Sequence, residues 1–189
     1  LPPIVELGPE VPAWLGVATP ADTARIEHIN ALWADGLTRA RRAGFRHALA
    51  VEGALLDPRV SLPRAMPPPG PYRCRIVRLG GFGRGRPFSA FRPYFCHVVH
   101  EGDLLSLTKQ EGAERPGGFL WDDGPDRMIF LGAMALGNEP MPLAYGDDPG
   151  RDLIGVVERV GAFRYRVAIM SAIPGRLDVM ELIPSIPEP

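Results

Sequence analysis

In the first third of the chain, apolar residues recur at helical spacing. Ile26, Ile29, Trp33 and Leu37, with Ala40, fall on one stripe, while Arg25, Arg39 and Arg42 lie off it. Such a stripe is the face a helix buries against a core. Thr19-Pro20-Ala21-Asp22 marks the start: Thr19 suits an N-cap, Pro20 the first helical position and Asp22 a capping-box-like return. The spacing predicts a helix from about Pro20 to Ala43, stopped by Gly44. A shorter helical piece over Phe45 to Glu52 precedes Gly53 and the Asp57-Pro58 break. Pro2, Pro3, Pro9 and Pro12 predict an extended lead-in over 1–18, and Pro67-Pro68-Pro69-Gly70-Pro71 a stiff connector.

Past the connector the period changes to two. Strand-like runs cover Tyr72 to Leu79, Tyr94 to His100, Leu104 to Lys109, Gly118 to Asp122, Arg127 to Ala133, Leu153 to Val160, Phe163 to Met170 and Leu177 to Ile183. In Phe163-Arg164-Tyr165-Arg166-Val167 the apolar groups share one face and the arginines the other. Glu101-Gly102-Asp103, Asp123-Gly124 and Gly161 supply turns between runs. Many short strands without intervening helices are sequential antiparallel neighbours, and eight of them close a barrel. The expected fold is therefore α+β in a single domain, 1–189. An N-terminal helical segment (19–57) precedes an eight-stranded antiparallel, lipocalin-like β-barrel (72–184). The helix is expected across one mouth or flank, burying Ile26, Ile29 and Trp33.

Composition narrows the setting. The 189 residues suffice for a sizeable core without metal staples. The net charge of −1 predicts no general attraction to nucleic acid or membrane surfaces, and no apolar run reaches the length of a transmembrane segment. The two cysteines, Cys74 and Cys96, lie on runs expected to be neighbours and opposite each other. A cross-strand disulfide there contributes about 3 kcal/mol in the chain-entropy model and points to an oxidising compartment, periplasmic or secreted. The alternative is a pair of buried thiols in the cytosol. Leu1 in first position is read as the trace of a removed segment, a signal peptide or an engineered boundary.

Candidate chemistry is sparse. From Pro58 through His100 there are eight arginines and no acid, whereas Glu101 to Asp126 is acidic. Either the two stretches pair across the sheet, or Arg73, Arg75 or Arg78 faces an anionic ligand. Gly81 to Phe88 is glycine-rich but lacks the lysine and hydroxyl of a phosphate loop, and reads as a hairpin loop. His97 and His100 fall on opposite strand faces, Tyr145 to Asp152 lacks the order of a calcium loop, and no serine stands in a nucleophile elbow. No metal or cofactor is implied. Phe119 and Trp121, with Phe163 and Tyr165, either line a pocket or fill a core. Lys109, the chain's one lysine, and Arg115 come at strand ends, at the barrel mouth or simply in solvent.

YRCR at Tyr72 to Arg75, RPGG at Arg115 to Gly118, FLGA at Phe130 to Ala133, RDLIGVVERVG at Arg151 to Gly161, RYRV at Arg164 to Val167 and ELIP at Glu181 to Pro184 together resemble an uncharacterised proteobacterial family, domain of unknown function 4893. LLDP at Leu55 to Pro58 fits it too. The resemblance runs from about Thr19 to Pro184, implies export, and assigns no activity and no catalytic residue. The functional expectation is a small apolar or amphipathic anionic ligand held in or at the mouth of the barrel. Phe119, Trp121, Phe163 and Tyr165 are expected as walls, with Arg73, Arg75, Lys109 and Arg115 as polar groups. The runner-up is a filled barrel acting as an envelope interaction module, and third comes a hydrolase-type enzyme without a recognisable motif.

Overall fold

The computed structural model describes residues 10–81 and 85–185. Residues 1–9 of the expected lead-in and 82–84 of the glycine-rich loop lie outside the described residues. A 3-10 turn at Ala13–Gly16 leads into three helices, α1 (Pro20–Glu27), α2 (Ile29–Arg42) and α3 (Arg46–Glu52). Thr19 caps α1, its hydroxyl accepting the Asp22 N–H at 3.1 Å. The single long helix expected from Pro20 to Ala43 is broken at His28, whose ring Nδ1 lies 2.7 Å from the Ala24 carbonyl oxygen. A side chain competing for the helical ladder is a recognised cause of a kink. Ile26 and Ile29 remain buried on either side of it.

Nine strands follow among the described residues: β1 (Gly70–Gly80), β2 (Phe88–Ala90), β3 (Tyr94–Glu101), β4 (Leu104–Lys109), β5 (Glu114–Asp122), β6 (Met128–Leu136), β7 (Asp152–Gly161), β8 (Arg164–Met170) and β9 (Arg176–Pro184). All pairings are antiparallel and sequential from β3 to β9, and β9 returns to pair with β1 from Tyr72↔Pro184 to Gly80↔Arg176. The eight long strands thus form a closed barrel, which leaves a sheet edge only at the short β2. The short β2 was not expected. β3 pairs with β1 only over Gly70–Cys74, and β2 takes the far end, Val77–Leu79. Phe91, Arg92 and Pro93 bulge between them, since Pro93 has no N–H to offer β1.

Side chains alternate strictly through the wall. Tyr72, Cys74 and Ile76 of β1, Leu105 and Leu107 of β4, Phe130 of β6 and Met180 of β9 pack inside, whereas Val77, Leu79, Ile129, Leu131, Val156 and Val179 face outward under the helices with Ile26, Trp33 and Leu37. The helical segment therefore covers a flank of the barrel. The far end, or base, is sealed by the proline-rich connector: Ala65 and Pro67 are buried, Leu62 N–H donates to Arg159 O at 2.8 Å, and Tyr72 Oη donates to Pro68 O at 2.5 Å.

Cys74 and Cys96 are joined by a disulfide with Cα atoms 6.1 Å apart. They are not directly opposite, as expected, but diagonal, because Cys96 pairs with Tyr72 and Cys74 with Tyr94. The charged stretches also pair differently. Arginines of β1 meet β9 and α3: Arg75 Nη1 donates to Glu52 at 3.0 Å, and Arg78 Nε donates to Asp178 at 2.7 Å. The closing strand and α3 supply these acids, since β4 and β5, apart from Glu114, lie too far round the barrel from β1. Arg166, on the strand face opposite Tyr165 and Val167 as expected, is 0% exposed there and stacks over Trp33 at 5.2 Å. Its guanidinium donates to Glu158 and to the carbonyls of Ala54, Leu55, Asp57 and Val60, fastening the segment after α3 to β8.

Candidate functional site

Inside the barrel buried apolar side chains extend from the base upward, and the barrel opens at one end, where β1, β4, β6 and β8 finish and β3, β5, β7 and β9 begin. The alternation that puts Cys74 and Ile76 inside also brings Arg78 in, and in the same way Tyr94, Lys109, Glu114, Met134 and Asp178 point inward from their strands. With Phe91 and Arg92 from the bulge they enclose a hollow of about 390 Å³. Its position depends on the broken wall: Pro93 interrupts the pairing of β1 and carries Phe91 and Arg92 to the rim, where Phe91 lies 5.0 Å from the Arg78 guanidinium.

The electrostatics lean positive. Asp178 receives Arg78 at 2.7 Å and Arg176 at 2.8 Å, and Glu114 stands 3.6 and 3.7 Å from the same two arginines. Both acids are thereby engaged. Burial lowers the Arg78 pKa, but the hydrogen bond and charge of Asp178 together with Glu114 outweigh it and keep the guanidinium charged. Lys109 Nζ sits 4.2 Å over the Tyr94 ring and donates to the Glu114 carbonyl at 2.9 Å. Burial draws its pKa below the ordinary lysine value, so an anion arriving here would be welcomed by a partly desolvated ammonium. Among the described residues Arg92 makes no ion pair. The Tyr94 hydroxyl is buried without a hydrogen-bond partner, its pKa raised first by burial and then by the Asp178 charge. A buried polar atom left unpaired is costly, about 1–3 kcal/mol.

Of the residues singled out in the sequence, Arg78 and Lys109 reach this hollow. Tyr165 is inside but at the base, close to Tyr72. Phe119 and Trp121 face outward, either side of inward Leu120, and Phe163 is 76% exposed in the turn between β7 and β8. The four aromatics therefore do not share one wall. Arg73 is exposed on the outer face, and Arg75 is tied to Glu52 and Glu181. Arg115, the second residue of β5, donates to the carbonyls of Gly112, Gly137 and Glu139 and does not line the hollow. Sequence reasoning passed over Tyr94, Arg92 and Asp178. One signal was available: with Cys74 inside, two-residue alternation turns Arg73 and Arg75 out and Arg78 in.

A second hollow, of about 410 Å³, lies on the outside of the wall, where Phe119 and Trp121 meet the loop joining β6 to β7. Among the described residues no helix is long and apolar enough to cross a membrane. Neither the curated proteins nor the solved structures give a match to this chain. The model of one family, described as a domain of unknown function (DUF4893), matches residues 14–182, a span that takes in the helices, the barrel and every strand lining its mouth. The chain belongs to the DUF4893 family.

Proposed function

We propose that the protein binds a small amphipathic anion, a carboxylate or phosphate ester with an apolar body, in the mouth of its barrel. The observation that carries this is the convergence of Arg78, Arg92 and Lys109 on a hollow that, among the described residues, holds two acids, both already engaged by Arg78 and Arg176. Guanidinium and ammonium groups suit such anions, and the Tyr94 hydroxyl offers a further donor in the wall. Ile76, Phe91 and Met134 give the apolar body a bed. The volume falls within the range of about 300–1,000 Å³ typical of small-molecule sites. The disulfide supports a periplasmic or secreted setting, because such bonds persist in oxidising compartments.

Isothermal titration with 2-naphthoate, decanoate and phenyl phosphate tests the reading, together with native mass spectrometry of protein purified from its own host. Binding of at least one probe, shifting the amide signals of Tyr94 and Lys109, is the expected result. Silence with all three probes and a bare native mass would sink it. A second reading, an interaction module, draws on one feature: Phe95 and Ile183 flank Arg73 across three strands of the uncovered outer face, and both are exposed. Phe95→Lys separates the two, since it leaves anion binding intact while removing any partner held on that face.

A further inference from the structure

We propose a second ligand site outside the barrel, in the groove beneath the β6–β7 loop, shaped for a flat ring-bearing molecule whose polar end donates hydrogen bonds as a hydroxyl or ammonium. Strand β4 separates it from the mouth: Leu105, Leu107 and Lys109 point inward, while Ser106 and Thr108 line the groove. The site stands independently of the one proposed above.

The roof is already built. Arg115 holds the loop at its start, donating to Gly137 O at 2.8 Å and to Glu139 O, and Arg151 meets the Glu139 carboxylate at 2.5 Å. Farther along, Tyr145 Oη accepts the Thr19 N–H at 3.1 Å and donates to Asp22 at 2.5 Å, which ties the loop across to α1. A ligand entering beneath a roof fixed in this way has little chain to order, and that preserves affinity.

The groove is apolar where the fold has no use for it. Met141 at 74% exposure, Leu143 and Val17 stand open at the rim beside Phe119 and Trp121, and a contiguous apolar patch with a polar border is the mark of a binding surface. Gly117, Gly118 and Gly132 line the floor, and the missing side chain at Gly117 lets Pro142 of the loop settle where a Cβ would meet it at 2.6 Å. The strands approach so closely there that a Cβ on Gly118 would meet Leu131 O at 2.3 Å. The indole N–H of Trp121 is buried in this wall without a partner.

Charge decides which polar end fits. Glu101 is the one charged group lining the groove among the described residues, and Ser106 Oγ already donates to it at 2.8 Å, leaving carboxylate lone pairs to accept from a ligand. An anion is repelled here and drawn to the mouth instead, so one ring body carrying different polar ends sorts the two sites.

The probes are 2-naphthylmethylamine, 2-naphthol and 2-naphthoate, followed by titration calorimetry and amide shift mapping on the full chain. The amine and the naphthol are expected to bind and to move the signals of Ser106, Gly117 and Leu143. Glu101→Gln is expected to weaken the amine about three- to fivefold, the scale of an exposed ion pair, and to spare the naphthol. Leu143→Lys, a change at an exposed rim position, places a cation at the entrance and weakens the amine further. The proposal is overturned if neither amine nor naphthol binds, if the amine moves Tyr94 and Lys109 instead, or if Glu101→Gln leaves it unchanged. Failure of 2-naphthoate at the mouth bears on the other site alone.

Discussion

Arg166 and Arg78 project through opposite faces of the same barrel wall, each toward carboxylates, and they are used in opposite ways. Arg166 points out under the helices and spends every donor on Glu158 and four backbone carbonyls in a sealed place. Arg78 points into the mouth, shares Asp178 with Arg176, and stands beside Lys109, Arg92 and an unpartnered tyrosine hydroxyl. Both clusters look alike as a list of charges. Only the pairing of donors with acceptors separates a closed clamp from a surface that still has something to hold, since a fully satisfied polar network gains nothing from a ligand.

The comparison breaks most visibly at the clamp. Arg166→Met strands Glu158 and the carbonyls between Ala54 and Val60, and the expected loss is about 3–5 kcal/mol, read as a lower denaturant midpoint with anion binding unchanged in the protein that remains folded. A loss below about 1 kcal/mol would show that the segment after α3 is held by packing alone.

At the mouth the consequences reverse, with binding affected and stability spared. Lys109→Gln is expected to weaken 2-naphthoate about tenfold, or about 1.4 kcal/mol, while the melting temperature stays put. The pH dependence has a definite sign. Lys109 attracts an anion only when protonated, and burial lowers its folded pKa, so affinity is full near neutral pH and falls as pH rises through that depressed value, ahead of the ordinary 10.5. The bound anion pulls the pKa back up, so complex formation takes up protons in that window. Titrations at increasing pH, in two buffers of different ionisation enthalpy, read both effects, and Lys109→Gln is expected to erase them.

The smallest effect sharpens the contrast. Tyr94→Phe removes a hydroxyl that is buried and unpaired, and is expected to raise stability by about 1 kcal/mol without ligand while lowering anion affinity. A fall in stability instead would place the hydroxyl in the same satisfied class as Arg166.

Much of the fold was legible because it is local. Thr19 caps its helix, the proline-rich connector divides helices from strands, and each of the eight long strands coincides with an alternating run. Three-residue β2 was not legible, because so short a run between prolines carries no period, and the kink at His28 hides within an unbroken apolar stripe. The candidate site was legible only at Lys109 and, as one of three arginines considered for an anion, at Arg78. The four aromatics read as one wall are scattered between the outer face, the base and a turn, since equal spacing along separate strands does not fix which face each presents until register is known.

By itself the sequence determined which segments are helix and which are strand, and that eight alternating strands would seek closure, because hydrophobic period and turn chemistry act over a few residues. Tertiary structure alone decided that β9 would give its acids to the arginines of β1, that Arg166 would vanish beneath the helices, and that Arg78, Arg92, Tyr94 and Lys109 would meet at one rim. Those meetings join residues far apart in the chain, and they depend on barrel closure and strand register, which no local pattern encodes.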